Sequence, residues 1–440
     1  MPLPTRATTL ACLLALLAAC PSHSTIEPIV AAEPDSARPP TATPLPSSGL
    51  DALVARAEAS RSSALLVSQR GELLVERYWE TDAETPLYVM SVSKSVVGLA
   101  VMMLVERGVL GLDTTLGELV DGLDPDVATI TVDELLTHTS GLPTARVPVD
   151  AELLPALRAM RVDGSARGRF VYNNTGVDVL GIVVARALAR AEAPEDGLFA
   201  WMQAHLHRPL GIRHAQVDRF ADGFERAAGE LRYRPRDLLA IGQLVLAGGV
   251  TPTGERLVRE ETLHAMVDRP AGGGFHGRLW WTYGPDRIGV TGDSVTTARE
   301  ADLDPALCDA LAAVEGQQFD SFLDAYAALV VHGAPIEQMA AFDRQDPFRF
   351  FSVGPGPTAY HEAQGYLGQY LIIVPDAEVV AVRLIAMDRA VEVERGRSET
   401  EHARFGREIA QLAEAWPARA EGTFEDQLRA RVEAMTRLPE

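Results

Sequence analysis

This chain of 440 residues is organised around the segment Tyr88-Val89-Met90-Ser91-Val92-Ser93-Lys94-Ser95. From Ser91 to Arg107 the apolar residues recur at helical spacing, and Gly108 follows, so the sequence predicts a buried helix that ends at a glycine. Ser91 and Lys94 are three residues apart, which places their side chains on one face of that helix, within mutual reach.

The residue types at these two positions suggest nucleophilic catalysis. A serine hydroxyl is a weak nucleophile until a neighbouring base takes its proton. A buried lysine can be that base because burial lowers its pKa, whereas arginine stays protonated. Lys94 is the only lysine among 40 basic residues, all the others being arginine. We therefore predict Ser91 as nucleophile and Lys94 as base; the alternative is a helix-capping serine beside an ordinary surface lysine.

The composition is that of a globular protein, with 47% hydrophobic and 23% charged residues. The 61 Asp and Glu residues against 40 Lys and Arg give a net charge of −21. Such a chain repels phosphate backbones, and no basic patch stands out, so no nucleic-acid partner is predicted. His205 and His207 are too close in sequence to form a closed metal site, and no cysteine pair is present, so neither a metal ion nor a cofactor is predicted.

The N-terminal segment has the features of a targeting sequence. The apolar run from Leu10 to Ala19 is shorter than the roughly 20 residues that a membrane-spanning helix needs, but it matches the core of a signal peptide. Its end, Leu17-Ala18-Ala19-Cys20, resembles a bacterial lipobox. We therefore expect residues 1–19 to be removed and Cys20 to be lipidated, the alternative being an ordinary cleaved signal. The predicted location is the periplasmic face of the outer membrane, with the protein anchored by lipid.

The rest of the chain divides into a linker and one domain. Residues 20–48 are rich in Pro, Ser, Thr and Ala and lack apolar periodicity, which predicts a disordered linker behind the lipid anchor. Residues 49–440 contain no comparable linker and no internal repeat, so they are predicted to form one domain. If Cys20 carries lipid, Cys308 has no disulfide partner.

Strand patterns occur near both ends of this domain. Ala64–Ser68 and Glu72–Trp79 flank one glycine turn, and Gln369–Val374 and Val379–Leu384 flank a second turn. Between them, helical runs alternate with Gly and Pro breaks. The sequence therefore predicts an α+β, two-lobed fold: an antiparallel sheet built from both chain termini, flanked by helices, with an inserted helical lobe.

Further motifs follow Ser-x-x-Lys in a definite order: Gly108–Asp113, Ile130–Pro143, Tyr172-Asn173-Asn174 and Pro209–Ile212. In these motifs the chain resembles the β-lactamase-related serine hydrolases, which include class C β-lactamases and penicillin-binding proteins. The resemblance covers residues 50–282 and resumes at about 360–386. It implies a β-lactamase/transpeptidase-like fold and an acyl-enzyme mechanism.

The resemblance also implies roles for the Tyr-x-Asn motif. Tyr172 would move a proton between Ser91, Lys94 and the leaving group, and Asn174 would bind a substrate amide or hold Lys94. Considered alone, the same residues are more simply interpreted as a core tyrosine followed by a turn.

The third motif departs from the family's pattern. Where relatives carry Lys-Thr-Gly or His-x-Gly, this chain has Ala363-Gln364-Gly365, followed by Tyr366. The alanine replaces a basic residue that attracts substrate carboxylates, which puts such substrates in doubt. The glycine still permits close approach of the strand, so Gln364, Gly365 and Tyr366 are predicted to line the substrate, with the Tyr366 and Ser91 N–H groups as an oxyanion hole.

A second departure is an insertion at about 284–360, where relatives have a short connection. It is either a lid at the site or a surface decoration. Together these features predict an exported serine hydrolase that acts on an ester, an amide or a D-amino-acid peptide. The alternative is a catalytically inactive penicillin-binding-like protein that binds cell-wall peptide or a partner. The sequence does not determine the oligomeric state.

Overall fold

The computed structural model describes residues 43–267, 275–301, 303–343, 350–389, 405–415 and 422–436. The predicted signal peptide, Cys20 and most of the predicted linker lie outside the described residues. The end of that linker differs from the prediction, because Leu45 is buried and the first helix begins at Ser47. Within the described residues no helix is both long and apolar enough to cross a bilayer.

The strands are β1 (Ala64–Gln69), β2 (Glu72–Tyr78), β3 (Leu87–Tyr88), β4 (Gln216–Val217), β5 (Leu231–Tyr233), β6 (Trp281–Tyr283), β7 (Asp286–Gly289), β8 (Gln318–Phe319), β9 (Ser352–Pro355), β10 (Tyr360–Gly365), β11 (Gln369–Val374) and β12 (Val379–Leu384). The helices are α1 (Ser47–Ala59), α2 (Val92–Glu106), α3 (Leu116–Leu119), α4 (Pro125–Ala128), α5 (Val132–Leu136), α6 (Leu153–Ala159), α7 (Asn174–Arg190), α8 (Leu198–Met202), α9 (Pro235–Leu246), α10 (Glu260–Val267), α11 (Gly292–Glu300), α12 (Pro305–Ala313), α13 (Phe322–Val331), α14 (Ile336–Asp343), α15 (Phe405–Leu412) and α16 (Phe424–Thr436), and a π-helical turn at Gln203–His207 follows α8.

The main sheet is antiparallel and joins the two ends of the domain. Its strand order is β2-β1-β12-β11-β10-β6, and β1 pairs with β12 in a register that sets Ala64 opposite Leu384. Every residue of β1, β11 and β12 is buried, which explains their nearly continuous apolar sequences: helices cover both faces of the sheet. The predicted α+β fold with a sheet built from both termini is confirmed.

The two faces of the sheet contact different helices. Helices α2 and α9 pack on one face, and α15 packs on β10 and β11 from a separate apolar cluster that also contains residues of α1. Helix α2 is buried from Val92 to Leu104. A helix that is apolar all round belongs in a core. This packing holds the N-terminal end of α2 against the end of β10.

The segment predicted as an insertion folds around a core of its own. It lies between β6 and β10, which are neighbours in the main sheet, and its strand β7 pairs with β8 and β9. Apolar residues of α11 to α14 bury one another together with Leu428 of α16, which packs on α13. The chain's last described helix therefore completes the core of this segment.

Candidate active site

The backbone makes a tight turn immediately before α2. Strand β3 pairs with β5 and leads into Met90, whose φ of 49° lies in the left-handed region that non-glycine residues seldom adopt. Ser91 follows at the N-cap of α2, where the helix dipole stabilises negative charge. The N–H of Ser91 makes no hydrogen bond with any residue that the structure describes. This N–H is therefore available to a ligand.

Lys94 lies one turn into α2 and is only 2% exposed. Its Nζ donates to Ser91 Oγ at 2.9 Å and to the carbonyl oxygen of Ala228. Burial lowers the pKa of Lys94 to about 7, with a smaller lowering from the charge of Arg146. Near neutral pH a large fraction of Lys94 is thus uncharged and able to accept a proton from the hydroxyl that it contacts.

Tyr172 comes directly before α7. The helix is capped by Asn173, whose side chain accepts from the Gly176 N–H at 3.0 Å and donates to the Leu142 carbonyl at 2.6 Å. Tyr172 and Ser91 line the same cavity, the Ser91 hydroxyl partly offsets the raised pKa of the phenol, and Lys94 Nζ lies 5.0 Å from the centroid of the Tyr172 ring. Desolvation raises the pKa of Tyr172 although the residue is 38% exposed, so its phenol stays protonated at neutral pH.

The histidine of the 130–143 motif helps to hold Tyr172. His138 Nδ1 accepts from the Asn173 N–H at 3.3 Å, and the His138 and Tyr172 rings have centroids 4.8 Å apart. Burial keeps the pKa of His138 well below its usual value, so the ring is neutral. The 130–143 motif therefore helps to position Tyr172 and does not supply a group that titrates near neutral pH.

Sequence reasoning did not identify Asp178. Its Oδ1 accepts from the Ala228 N–H at 2.8 Å, and the carbonyl of the same residue accepts from Lys94. The carboxylate thus holds the backbone of Ala228, whose carbonyl on the other side of the residue contacts the amine. Burial raises the pKa of Asp178, and its negative charge raises that of Lys94. The available signal was a lone aspartate in the apolar run Val177-Asp178-Val179-Leu180, one turn after Asn174.

These groups open onto a cavity of about 670 Å³. The structure brings together the predicted residues Ser91, Tyr172, Asn174, Gln364, Gly365 and Tyr366 on its wall, and Lys94 lies behind Ser91. The wall also contains Arg146, Glu230 and Trp281, for which the sequence suggested no role. None of the described residues of the 284–360 insertion lines it. The lid interpretation therefore has no support from the described residues.

The end of β10 lies very close to the turn before the nucleophile. A Cβ on Gly365 would be 2.6 Å from the Val89 carbonyl oxygen, a separation that real Cβ atoms do not show. Only glycine allows this approach. Ala363 is fully buried opposite Leu371 and does not line the cavity, so this strand brings no cation to the site.

Aromatic rings form the wall next to Tyr172. Trp281 stacks on Tyr172 with ring centroids 6.5 Å apart, and His276 lies 4.6 Å from Trp281. Burial lowers the pKa of His276 to about 4, so it too is neutral. Within the described residues, no three His, Cys, Asp or Glu side chains are placed to hold a metal ion.

Comparisons with known proteins agree with this geometry. The family model described as "Beta-lactamase" matches residues 50–403. The 6-aminohexanoate-dimer hydrolase of Paenarthrobacter ureafaciens is 28% identical over 302 residues, which are 60% of this chain and 74% of that protein.

Two solved structures share the fold. A putative 6-aminohexanoate-dimer hydrolase from Bacillus anthracis has a TM-score of 0.54 at 15% identity, covering 84% of this chain and 83% of that one. A putative β-lactamase from Bacteroides dorei DSM 17855 also has a TM-score of 0.54, at 16% identity, covering 84% of this chain and all of that one.

Proposed function

The chain belongs to the β-lactamase family, whose members act as serine hydrolases on small-molecule or peptide substrates, and on that premise we propose that it hydrolyses an ester, an amide or a D-amino-acid peptide through an acyl-enzyme at Ser91. The observation that carries the proposal is the hydrogen bond of 2.9 Å between Ser91 Oγ and a lysine whose pKa is lowered to about 7.

The proposed reaction has two balanced steps. Neutral Lys94 takes the Ser91 proton while Oγ bonds to the substrate carbonyl carbon, and the oxyanion accepts hydrogen bonds from the N–H groups of Ser91 and Tyr366. The bond to the leaving group then breaks, and that group takes the phenol proton of Tyr172. Lys94 gives the proton that it took from Ser91 to the Tyr172 oxygen. Water next attacks the acyl carbon and gives a proton to the same pair. The bond to Ser91 Oγ then breaks, Oγ takes that proton from the pair, and the free acid and Ser91 are released.

The division of roles between Lys94 and Tyr172 follows from their environments. Burial disfavours the charged form of each group, so it lowers the pKa of the lysine and raises that of the tyrosine. At neutral pH the lysine is therefore the base, and the tyrosine carries a proton to donate.

The test of the proposal is covalent labelling. A fluorophosphonate or a penicillin, followed by mass spectrometry of the digested protein, is expected to label Ser91. Ser91→Ala should abolish labelling. Ser95→Ala should not, since Ser95 is on the same helix but donates to the Leu279 carbonyl and does not line the cavity. Labelling of another residue, or the absence of labelling by any acylating probe, would refute the proposal.

The pH dependence of kcat/KM provides a second prediction. The rate should rise with pH through about 7 as Lys94 loses its proton, and it should not fall again until Tyr172 ionises above its usual value of about 10. A steady-state profile between pH 5 and about 9.5 checks this expectation. A rate that is flat across neutral pH would show that Lys94 is not the base.

Asp178→Asn provides a control for that profile. The amide oxygen can still accept from the Ala228 N–H, but the negative charge that raises the pKa of Lys94 is removed. The rising limb should therefore move to lower pH, whereas a group unrelated to Asp178 would leave it in place.

A binding function without turnover is the second candidate. It is favoured by the buried Ala363, which replaces the basic residue of the third motif. Lys94→Ala separates the two candidates, because an enzyme loses turnover whereas a binder keeps its affinity for cell-wall peptide.

We also propose that the protein is exported and lipidated at Cys20, on the basis of the sequence of residues 10–20. Radiolabelled palmitate should be incorporated into the wild-type protein and not into Cys20→Ala. Equal labelling of both would exclude this anchor.

A further inference from the structure

The cavity wall carries an ion pair that the proposed reaction does not use. Arg146 Nη2 donates to Glu230 Oε1 at 2.5 Å, and both residues line the cavity with Ser91. Of the lining residues that the structure describes, these two are the only ones with charged side chains. Any recognition of substrate charge at the wall therefore involves this pair.

The charges of the pair do not cancel, because a second arginine shares the carboxylate. Arg226 Nη2 also donates to Glu230 Oε1, at 3.1 Å, from a position that is only 5% exposed over the Phe220 ring. Two guanidinium groups thus share one carboxylate. The cluster has an excess positive charge, and its exposed member is Arg146, whose side chain is 47% exposed compared with 17% for Glu230.

The geometry favours an anion over a cation as ligand. Glu230 Oε1 is already shared by two guanidinium groups, and Oε2 is buried, so a substrate ammonium would have to displace an arginine. Arg146, by contrast, hydrogen bonds to the described protein through Nη2 alone. Its remaining N–H groups match the planar, two-oxygen geometry of a carboxylate.

Arg146 is also close to the reacting atoms. A Cβ on Gly229 would lie 3.8 Å from Arg146 Nη2 and 3.9 Å from the carbonyl carbon of Met90, so the guanidinium and the backbone before Ser91 border the same small space. The charge of Arg146 lowers the pKa of both Lys94 and Tyr172. A ligand group on Arg146 therefore lies in the same cavity as the bond that Ser91 attacks.

We infer that Arg146 is a substrate-binding residue and that the substrate is an ester or amide with a carboxylate near its scissile bond. The inference rests on the proposed function and names the substrate class of that site. It also resolves the doubt raised by Ala363, because the cation lost from β10 is replaced by one from the loop between α5 and α6. With a net charge of −21 the chain does not attract anions from a distance, so Arg146 acts at short range.

A matched pair of esters tests this inference. The mono-4-nitrophenyl ester of adipic acid carries a free carboxylate, and its methyl-capped counterpart does not, while both acylate Ser91 with loss of 4-nitrophenolate. The wild-type protein should prefer the free acid. Arg146→Gln should lower kcat/KM for the free acid by about 10- to 100-fold and leave the capped ester nearly unchanged. Arg146→Lys should give an intermediate loss of kcat/KM for the free acid, since lysine keeps the positive charge but cannot donate two parallel hydrogen bonds to a carboxylate.

Arg146 also lowers the pKa of Lys94, which affects both esters equally because both use the same base. The ratio of kcat/KM for the free acid to kcat/KM for the capped ester therefore reports carboxylate binding alone. Rates are measured at about pH 8.5, above the pKa of about 7 for Lys94. Arg161→Gln is the control: Arg161 pairs with Asp124, is 67% exposed and lies outside the cavity, so the ratio should not change.

Two results would overturn the inference. One is a wild-type protein with no preference for the free acid. The other is an Arg146→Gln protein in which the ratio of the two rates is unchanged, whether or not both rates fall. If the wild-type protein hydrolyses neither ester and no probe labels Ser91, the proposed function fails and the carboxylate site fails with it. Thermal unfolding of each variant shows whether a loss of activity reflects a loss of folded protein.

Discussion

Lys94→Arg is expected to lower kcat/KM by about 10²–10⁴-fold or more, nearly as far as Lys94→Ala, although it keeps the positive charge. The reason is chemical: arginine remains protonated and cannot take the Ser91 proton. It is also geometric, because Lys94 Nζ lies between Ser91 Oγ and the Ala228 carbonyl oxygen in a site that is only 2% exposed. A planar guanidinium is wider than the ammonium that this space holds.

The measurement is kcat/KM for the wild-type, Lys94→Arg and Lys94→Ala proteins, with any ester that the wild-type protein hydrolyses. A Lys94→Arg protein with half of the wild-type kcat would refute the role of Lys94 as base and leave the family assignment intact. Arg161→Lys is the matched control, since it exchanges the same two side chains at an exposed position outside the cavity.

Lys94→Met separates lost chemistry from lost folding. The folded-state pKa of about 7 lies below the usual lysine value of about 10.4, so the unfolded chain binds the proton more tightly. The buried amine therefore destabilises the fold below pH 7, and this penalty disappears as the pH rises from about 7 towards 10. At pH 6 the methionine variant should be inactive and at least as stable as the wild-type protein.

Gly365→Ala is expected to lower kcat by about 10²–10³-fold, the usual cost of removing one oxyanion donor. The new Cβ would be 2.6 Å from the Val89 carbonyl oxygen and 3.1 Å from Met90 Cβ, in the turn that leads to Ser91. Because this turn is fixed by pairing of β3 with β5, the end of β10 has to move away. The Tyr366 N–H, the second oxyanion donor of the proposed mechanism, then moves away from the substrate.

Gly354→Ala is the control for this variant. Gly354 is also a strand glycine, and a Cβ there would meet no atom of the described residues within 4 Å. The comparison needs kcat, KM and the rate of acylation by a fluorophosphonate for each protein. If Gly365→Ala acylates at the wild-type rate, the close approach of β10 does not serve the oxyanion.

Local sequence was sufficient for the elements with the strongest patterns. The strands β1, β11 and β12 are apolar along most of their length because both faces of the sheet are covered, and they were predicted within a residue of their observed bounds. Helix α2 was predicted from Ser91 to Arg107 and extends from Val92 to Glu106. The motif order correctly indicated the family, since it depends on residue types and spacing alone.

Predictions were weaker where an element depends on a distant partner. The segment 317–331 has apolar residues at helical spacing, but α13 begins only at Phe322, and Gln318–Phe319 is a strand that pairs with Ile288 and Gly289. The apolar residues suit either structure, and pairing with β7 decides between them. Whether the insertion reaches the cavity was likewise undetermined by its sequence.

The sequence by itself indicated the family through its resemblance in several ordered motifs. Apolar strand patterns at each end of the domain predicted the sheet, and helical spacing predicted the Ser91–Lys94 pair. Only the tertiary structure showed that Arg146 meets Glu230 across 84 residues, and that Asp178 supports Lys94 through the backbone of Ala228. Neither Arg146 nor Asp178 belongs to a motif. Their effect on the site depends on burial and on distances of a few ångströms between segments that are remote in sequence, and these quantities exist only once the chain is folded.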